Sequence, residues 1–290
     1  MIASLLFDAK AELGEGAIWN HVESKLYWVD IEGRLFNVFD PVTNQNKSYN
    51  TLKRIGTVVP VNTGQVLVAL EDGIATIDLV DGTITYKIDT DIHLEHNKRF
   101  NDGKCDHEGR FWVGTHSMSG VREVSELYCI SEDFTIEEKI TGVSISNGIA
   151  WNADGSLMYY IDTPTGQVVQ YDFDRYTSAI SNKKVIITIP EEQGYPDGMT
   201  IDNEGMLWIA LWDGFCVARF DPQTGEMIQK VAVPAPKVSS CAFGGNDLDI
   251  LYITTARAEM TEDELELYPL SGGVFVAETG AKGVPAHYFK

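Results

Sequence analysis

Apolar and polar residues alternate along most of this chain in short runs, and turns containing glycine separate the runs. The stretch that opens at Pro196 shows the unit. GMTID is followed by an Asn-Glu-Gly turn, MLWIALW by Asp-Gly, FCVARFD by Pro-Gln-Thr-Gly, and EMIQKVA closes it. Period-two alternation with turns at this spacing predicts a meander of four antiparallel strands. The pattern recurs as SNGIAWNADGSLMYYIDTPTGQVVQYDFD from Ser146 and as FNDGKCDHEGRFWVGT from Phe100. Further copies open at Gly14 (GEGAIW), Gly56 (GTVVPV) and Ser239 (SSCAFGGNDLDILYITTAR).

The anchors Glu15, Asn101, Asn147, Asp197 and Ser239 are 86, 46, 50 and 42 residues apart, and the first interval holds the Gly56 copy. Six units of this length and strand content predict an all-β fold, a six-bladed β-propeller of four-stranded antiparallel blades spanning residues 1–290 as one domain. A β-sandwich would share the alternation but has no need of a polar-glycine anchor recurring in phase. The spare strand at Ile2 to Phe7 is expected to pair with the last blade and close the ring, which removes exposed edges. EMTEDELEL, from Glu259, is the one stretch that reads as a helical turn, and it lies in a long loop.

Composition narrows the function. The formal net charge is -21, a field that disfavours nucleic acid and anionic membranes and suits a protein that attracts cations. No run approaches the roughly 18 apolar residues of a membrane span, and the amino end has no basic segment before its apolar stretch, so it reads as a strand. The 4 cysteines show no CxxC spacing, and Cys129 and Cys216 sit in alternating apolar runs as buried thiols. These features point to a cytoplasmic address.

In a propeller the first strand of each blade lines the central channel, and the loop between second and third strands returns to the face at which that strand begins. The first-strand entrances read Glu15-Gly16, Gly56-Thr57, Asn101-Asp102-Gly103, Asn147-Gly148, Asp197-Gly198 and Ser239-Ser240. Asn-Gly and Asp-Gly are ordinary turn signals taken singly, but here they recur in phase. The oxygens of Glu15, Asn147 and Asp197 are therefore expected to converge. Two close carboxylates are costly to bury without a cation between them, and an all-oxygen set favours Ca²⁺, Mg²⁺ or Mn²⁺, with Zn²⁺ also admissible. Thr115 to Glu126 and Thr255 to Gly273 read as the two long loops on that face. No GxSxG, HExxH, Walker or EF-hand pattern is present, and of the 6 histidines only His116 falls beside the expected site.

GEGAIW with LYWVDI, RFNDGKCDHEGRFWVGT, SNGIAWNADGSLMYYIDT, PDGMTIDNEGMLWIALWDG and SSCAFGGNDLDILYIT resemble, in order and across the whole chain, the SMP-30/gluconolactonase/LRE-like family. The resemblance implies a divalent metal and hydrolysis of a small-molecule lactone, with the family's metal ligands falling on Glu15, Asn147 and Asp197. It places a substrate-binding arginine and asparagine at Arg99 and Asn101. Regucalcin-like members carry an acid after the Gly-Thr of the third repeat, whereas this chain reads HSMSG there, with no acid until Glu123. The expected chemistry is cation-assisted attack of water on a lactone carbonyl, with Asp197 as general base. Two rivals share the fold: a non-catalytic calcium-binding or regulatory propeller, and a metal-dependent hydrolase of aryl esters or phosphotriesters.

Overall fold

The computed structural model describes residues 1–290 and consists of six four-stranded antiparallel sheets arranged as the blades of a propeller. Blades one to five each take four consecutive strands. Their innermost strands are Gly14–Asn20, Ile55–Asn62, Lys98–Cys105, Ser146–Trp151 and Tyr195–Ile201. Blade six takes Val238–Gly244, Ile250–Thr255 and Val274–Glu278, and its outermost strand is the amino-terminal Ser4–Phe7, paired antiparallel with Val274–Glu278. The expected ring closure is thus observed, and Ile2 also bridges to Ala232 of blade five.

The strands in the middle of each blade are apolar on both faces because each is sandwiched between neighbouring blades. Leu207–Trp212 and Gln65–Leu70 are buried along nearly their whole length, whereas outer strands such as Gln45–Asn50 alternate with solvent. Two core indoles are paired with buried aspartates. Trp112 Nε1 donates to Asp106 Oδ2 at 2.9 Å in blade three, and Trp208 Nε1 to Asp202 Oδ2 at 2.8 Å in blade five. The one α-helix, Glu262–Leu267, lies in the long loop of blade six and opens with a reciprocal Thr261–Glu264 capping box. No helix is long and apolar enough to cross a membrane. The blade-three loop is shorter than the sequence suggested, because Phe111–Ser117 and Ser125–Ile130 continue as strands into it.

One feature repeats in all six blades and sets up the site. Pairing of the first with the second strand is interrupted at the anchor: between Glu15 and Ile18, Ile55 and Thr57, Phe100 and Gly103, Asn147 and Ile149, Pro196 and Met199, and Val238 and Ser240. A bulge bends its strand and re-aims a side chain, so each blade turns its anchor residue out of the alternation that would bury it between blades. Glycine is needed where neighbouring bulges touch. A Cβ on Gly148 would stand 2.7 Å from the Asp197 carbonyl oxygen and 2.6 Å from Met199 Cβ.

The opposite end of the channel is closed by the C-terminal segment. Asn203 N donates to Lys282 O, Phe289 N to Pro60 O and Lys290 N to Gly109 O, so the last residues cross blades five, two and three in turn. A cavity of about 450 Å³ lies under this segment, lined by Trp19, Trp151, Phe243, His107 and His287. It is the far end of the channel from Glu15, Asn147 and Asp197.

Candidate active site at the channel mouth

Five side chains from four blades are brought together, and all five are buried: Glu15, Arg99, Asn101, Asn147 and Asp197. Arg99 Nη1 donates to Asn101 Oδ1 and to Phe100 O. Asn101 Nδ2 donates to Asn147 Oδ1 at 2.9 Å and to Ser146 O at 2.7 Å. Asn147 Nδ2 donates to Thr163 Oγ1 at 2.7 Å, and Thr163 Oγ1 donates onward to Pro196 O at 2.8 Å, beside Asp197. A continuous chain of hydrogen bonds therefore runs from Arg99 to the residue preceding Asp197. Both donors of the Asn101 amide are used within it, which fixes the orientation of the Asn147 carbonyl.

The carboxylates are less well provided for. Asp197 Oδ1 is buried and has no hydrogen-bond partner. Glu15 Oε2 accepts only from its neighbour Gly16 N, at 3.1 Å. Burial and then the nearby Asp102 carboxylate push Glu15 up to about 8. Burial, then Glu15 and then Asp102, push Asp197 well above the usual carboxylate range. Asp102, also raised by burial, is the third acid of this cluster; Lys104 opposes that rise and donates to Met199 O at 2.7 Å.

This arrangement fits a divalent cation. Two carboxylates and one amide oxygen from three blades converge with at least one wholly unsatisfied acceptor, the situation in which a bound cation replaces missing hydrogen bonds and offsets repulsion. The donors are all oxygen, which suits a hard ion. Nowhere in the molecule, this mouth included, are three or more His, Cys, Asp and Glu side chains grouped as a metal centre, so the set here rests on two carboxylates and an amide.

His116 lies opposite Arg99 in the pairing of Lys98–Cys105 with Phe111–Ser117, and burial together with the Arg99 charge lowers it to about 3, so it is neutral at physiological pH. Thr163, Asp102 and Lys104 were not singled out from the sequence. Asp102 and Lys104 stand in the RFNDGKC motif at alternate positions of a channel-lining strand, a signal that was available. Thr163 carried none, because its role depends on the fold bringing the blade-four loop against blade five.

The raised Glu15 has a consequence for the cation-free protein. A carboxyl that holds its proton more tightly when folded contributes stability at low pH and loses it as pH rises from the unfolded value of about 4.3 towards about 8. Cation-free protein is therefore expected to resist urea better near pH 5 than near pH 8.5, with the difference reduced in Glu15→Gln. Equal pH dependence of unfolding in wild type and Glu15→Gln, both in chelator, would show that Glu15 is not the strained group.

The fold and this acid-lined mouth define a six-bladed propeller with one polar axial site. Residues 13–257 match the SMP-30/Gluconolactonase/LRE-like region, and the chain belongs to that family. It is 40% identical over 282 residues to YvrE of Bacillus subtilis (strain 168), whose name assigns it to the sugar lactone lactonases; the alignment covers 97% of this chain and 96% of that one. It is 38% identical to regucalcin of Danio rerio, with 97% and 95% coverage. Among solved structures, a luciferin-regenerating enzyme superposes with a TM-score of 0.90 at 32% identity, covering 97% of this chain and 96% of that one.

Proposed function

We propose that this protein hydrolyses the lactone of a polyhydroxylated sugar acid, with one divalent cation held by Glu15, Asn147 and Asp197. The observation that carries the reading is the buried, unpartnered Asp197 Oδ1 beside a second buried carboxylate. Family membership and the named lactonase and regucalcin relatives support it. The side chains around the acids, Arg99, Asn101, Asp102 and Thr163, are polar, which favours a hydroxylated substrate over an aryl ester. The four cysteines are unpaired and buried, which suits a reducing compartment, and we place the protein in the cytoplasm on that ground.

The cation, whether Ca²⁺, Mg²⁺, Mn²⁺ or Zn²⁺, would polarise the lactone carbonyl and make water more acidic. The protein's own groups do the rest. One oxygen of Asp197 takes a proton from water as the water oxygen attacks the carbonyl carbon. The tetrahedral adduct then expels the ring oxygen, and Asp197 returns the proton to it, leaving a hydroxy acid. Arg99 retains donors beyond those given to Phe100 and Asn101, including a buried Nε without a partner. It is suited to holding the carboxylate that forms.

The test is a panel of lactones assayed with each cation after chelation. Hydrolysis of aldonolactones that depends on a cation supports the reading. A single tightly held ion with no turnover on any lactone would favour the calcium-binding alternative instead.

A second expectation concerns Asn101, whose amide is committed to orienting Asn147. Removing a residue that orients a ligand costs roughly 10- to 100-fold in metal affinity. Asn101→Ala is expected to weaken cation binding by that order in a calorimetric titration. Unchanged affinity, with a changed preference between a hydroxylated lactone and its deoxy analogue, would mean that Asn101 reads substrate hydroxyls directly.

A further inference from the structure

Several blade-three side chains near Arg99 are already engaged. Ser117 and Ser119 both donate to His96 O, at 2.8 and 2.9 Å. The Glu126 carboxylate is taken by Lys98 at 2.9 Å and by Thr115 at 3.0 Å. A carboxylate is held near this mouth by blade two: Arg54 lies two residues before Gly56, on which a Cβ would collide with Phe100 O, next to Arg99. Glu32 sits in the turn between the second and third strands of blade one, on the face where Glu15 enters its strand.

That turn is firmly held. Asp30 accepts from Gly33 N at 2.9 Å within the turn, and from Glu12 N and Leu13 N, each at 3.0 Å, in the segment leading to Glu15. The Glu32 side chain is aimed by Arg54, whose Nε donates to both of its oxygens at 2.9 Å. Arg54 also reaches Glu71 at 3.4 Å, so its single positive charge faces two acids. Glu32 remains 33% exposed, with acceptor capacity to spare. Burial lowers Arg99 to about 10, and the Glu32 charge, which makes no direct bond to it, opposes that shift.

Resting on the lactonase reading above, we propose that Glu32, oriented by Arg54, is the group that selects the substrate. It accepts hydrogen bonds from ring hydroxyls of a neutral polyhydroxylated lactone and disfavours lactones bearing an anionic substituent. The cluster Glu32, Arg54 and Glu71 carries a net negative charge at the rim, and like charges brought together without a counter-ion repel. A carboxylate that accepts a hydroxyl proton discriminates strongly against an analogue lacking that hydroxyl, because the charged acceptor is then left short of a partner. Glu32 does not act on the scissile ester. It acts through the pose of the sugar.

The variant to make is Glu32→Gln, which keeps the shape and can still accept from Arg54. The measurement is kcat/KM for a hydroxylated aldonolactone, its deoxy analogue and the same lactone carrying a phosphate, with folding checked by urea unfolding. The hydroxylated-to-deoxy ratio should fall about tenfold or more, as expected for losing a hydrogen bond to a charged acceptor. The phosphorylated-to-neutral ratio should rise. Unaltered ratios in a folded variant overturn the assignment and leave the lactonase reading standing. If wild type opens no lactone with any cation, the lactonase reading fails, and calorimetric binding of a neutral open-chain alditol still tests Glu32. Weaker alditol binding by Glu32→Gln upholds the assignment, whereas equal binding, or none by wild type, overturns it.

Discussion

Asp197→Asn is expected to lower kcat for an aldonolactone by about 10²- to 10⁴-fold, the usual range for losing a general base. Cation affinity should fall much less, because the amide keeps an oxygen in the same place. Each tenfold loss corresponds to about 1.4 kcal/mol of barrier. The structure supplies the reason to single out this residue. Of the two carboxylates, Asp197 is the one with a buried oxygen that no donor satisfies, while Glu15 is engaged by Gly16 N. Asn147 carries no charge and cannot take a proton from water near neutral pH. Saturating metal titrations on the variant separate the two effects. Turnover within twofold of wild type at saturating cation would show that the base lies elsewhere, with Asp102 the other carboxylate of the cluster.

Much of this site was legible before the fold was described, and the reason is geometric. A propeller repeats one supersecondary unit around an axis, so residues in phase along the chain are neighbours at the channel. Phase alone brought Glu15, Asn147 and Asp197 to one end of the molecule. The amino-terminal strand at the edge of blade six followed from the same reasoning, since an open ring leaves edges unpaired. The bulges that turn the anchors inward left a trace in their glycines, whose purpose becomes clear only in the fold. Gly148 is small because the Asp197 carbonyl passes against it.

What escaped the sequence are relations between blades out of phase. Glu32 belongs to a second-to-third-strand turn, whereas Arg54 and Arg99 each precede a first-strand bulge, so no repeat alignment pairs Glu32 with either. Thr163 reaches Pro196 O of blade five only because the blade-four turn lies against that blade. The C-terminal segment that closes the far end has no strand periodicity, and its anchoring rests on backbone contacts such as Phe289 N to Pro60 O. The motif resemblance assigns Asn101 to substrate, and its amide also donates to Asn147, a relation the motif does not show.

Removal of the divalent cation is expected to abolish lactone hydrolysis, and two independent effects contribute. Polarisation of the substrate carbonyl is lost. In addition, without a positive charge among them, the carboxyls are held high by burial and by neighbouring acids, Asp102 for Glu15, and Glu15 then Asp102 for Asp197. Asp197 then holds its proton more tightly than an ordinary carboxyl and is a poorer acceptor of a proton from water. Restoring the cation favours the ionised form, so rebinding should release protons, and calorimetry in buffers of different ionisation enthalpy reads that release directly.

The decisive measurement is aldonolactone hydrolysis followed while chelated, dialysed protein is titrated with a divalent cation at protein concentrations well above the dissociation constant. The rate should start at background, rise linearly and level off at one ion per chain, with no recovery at the same concentrations in Glu15→Ala, which removes the ligand oxygens. Full turnover in protein shown by elemental analysis to be free of metal would contradict a cation held by Glu15, Asn147 and Asp197.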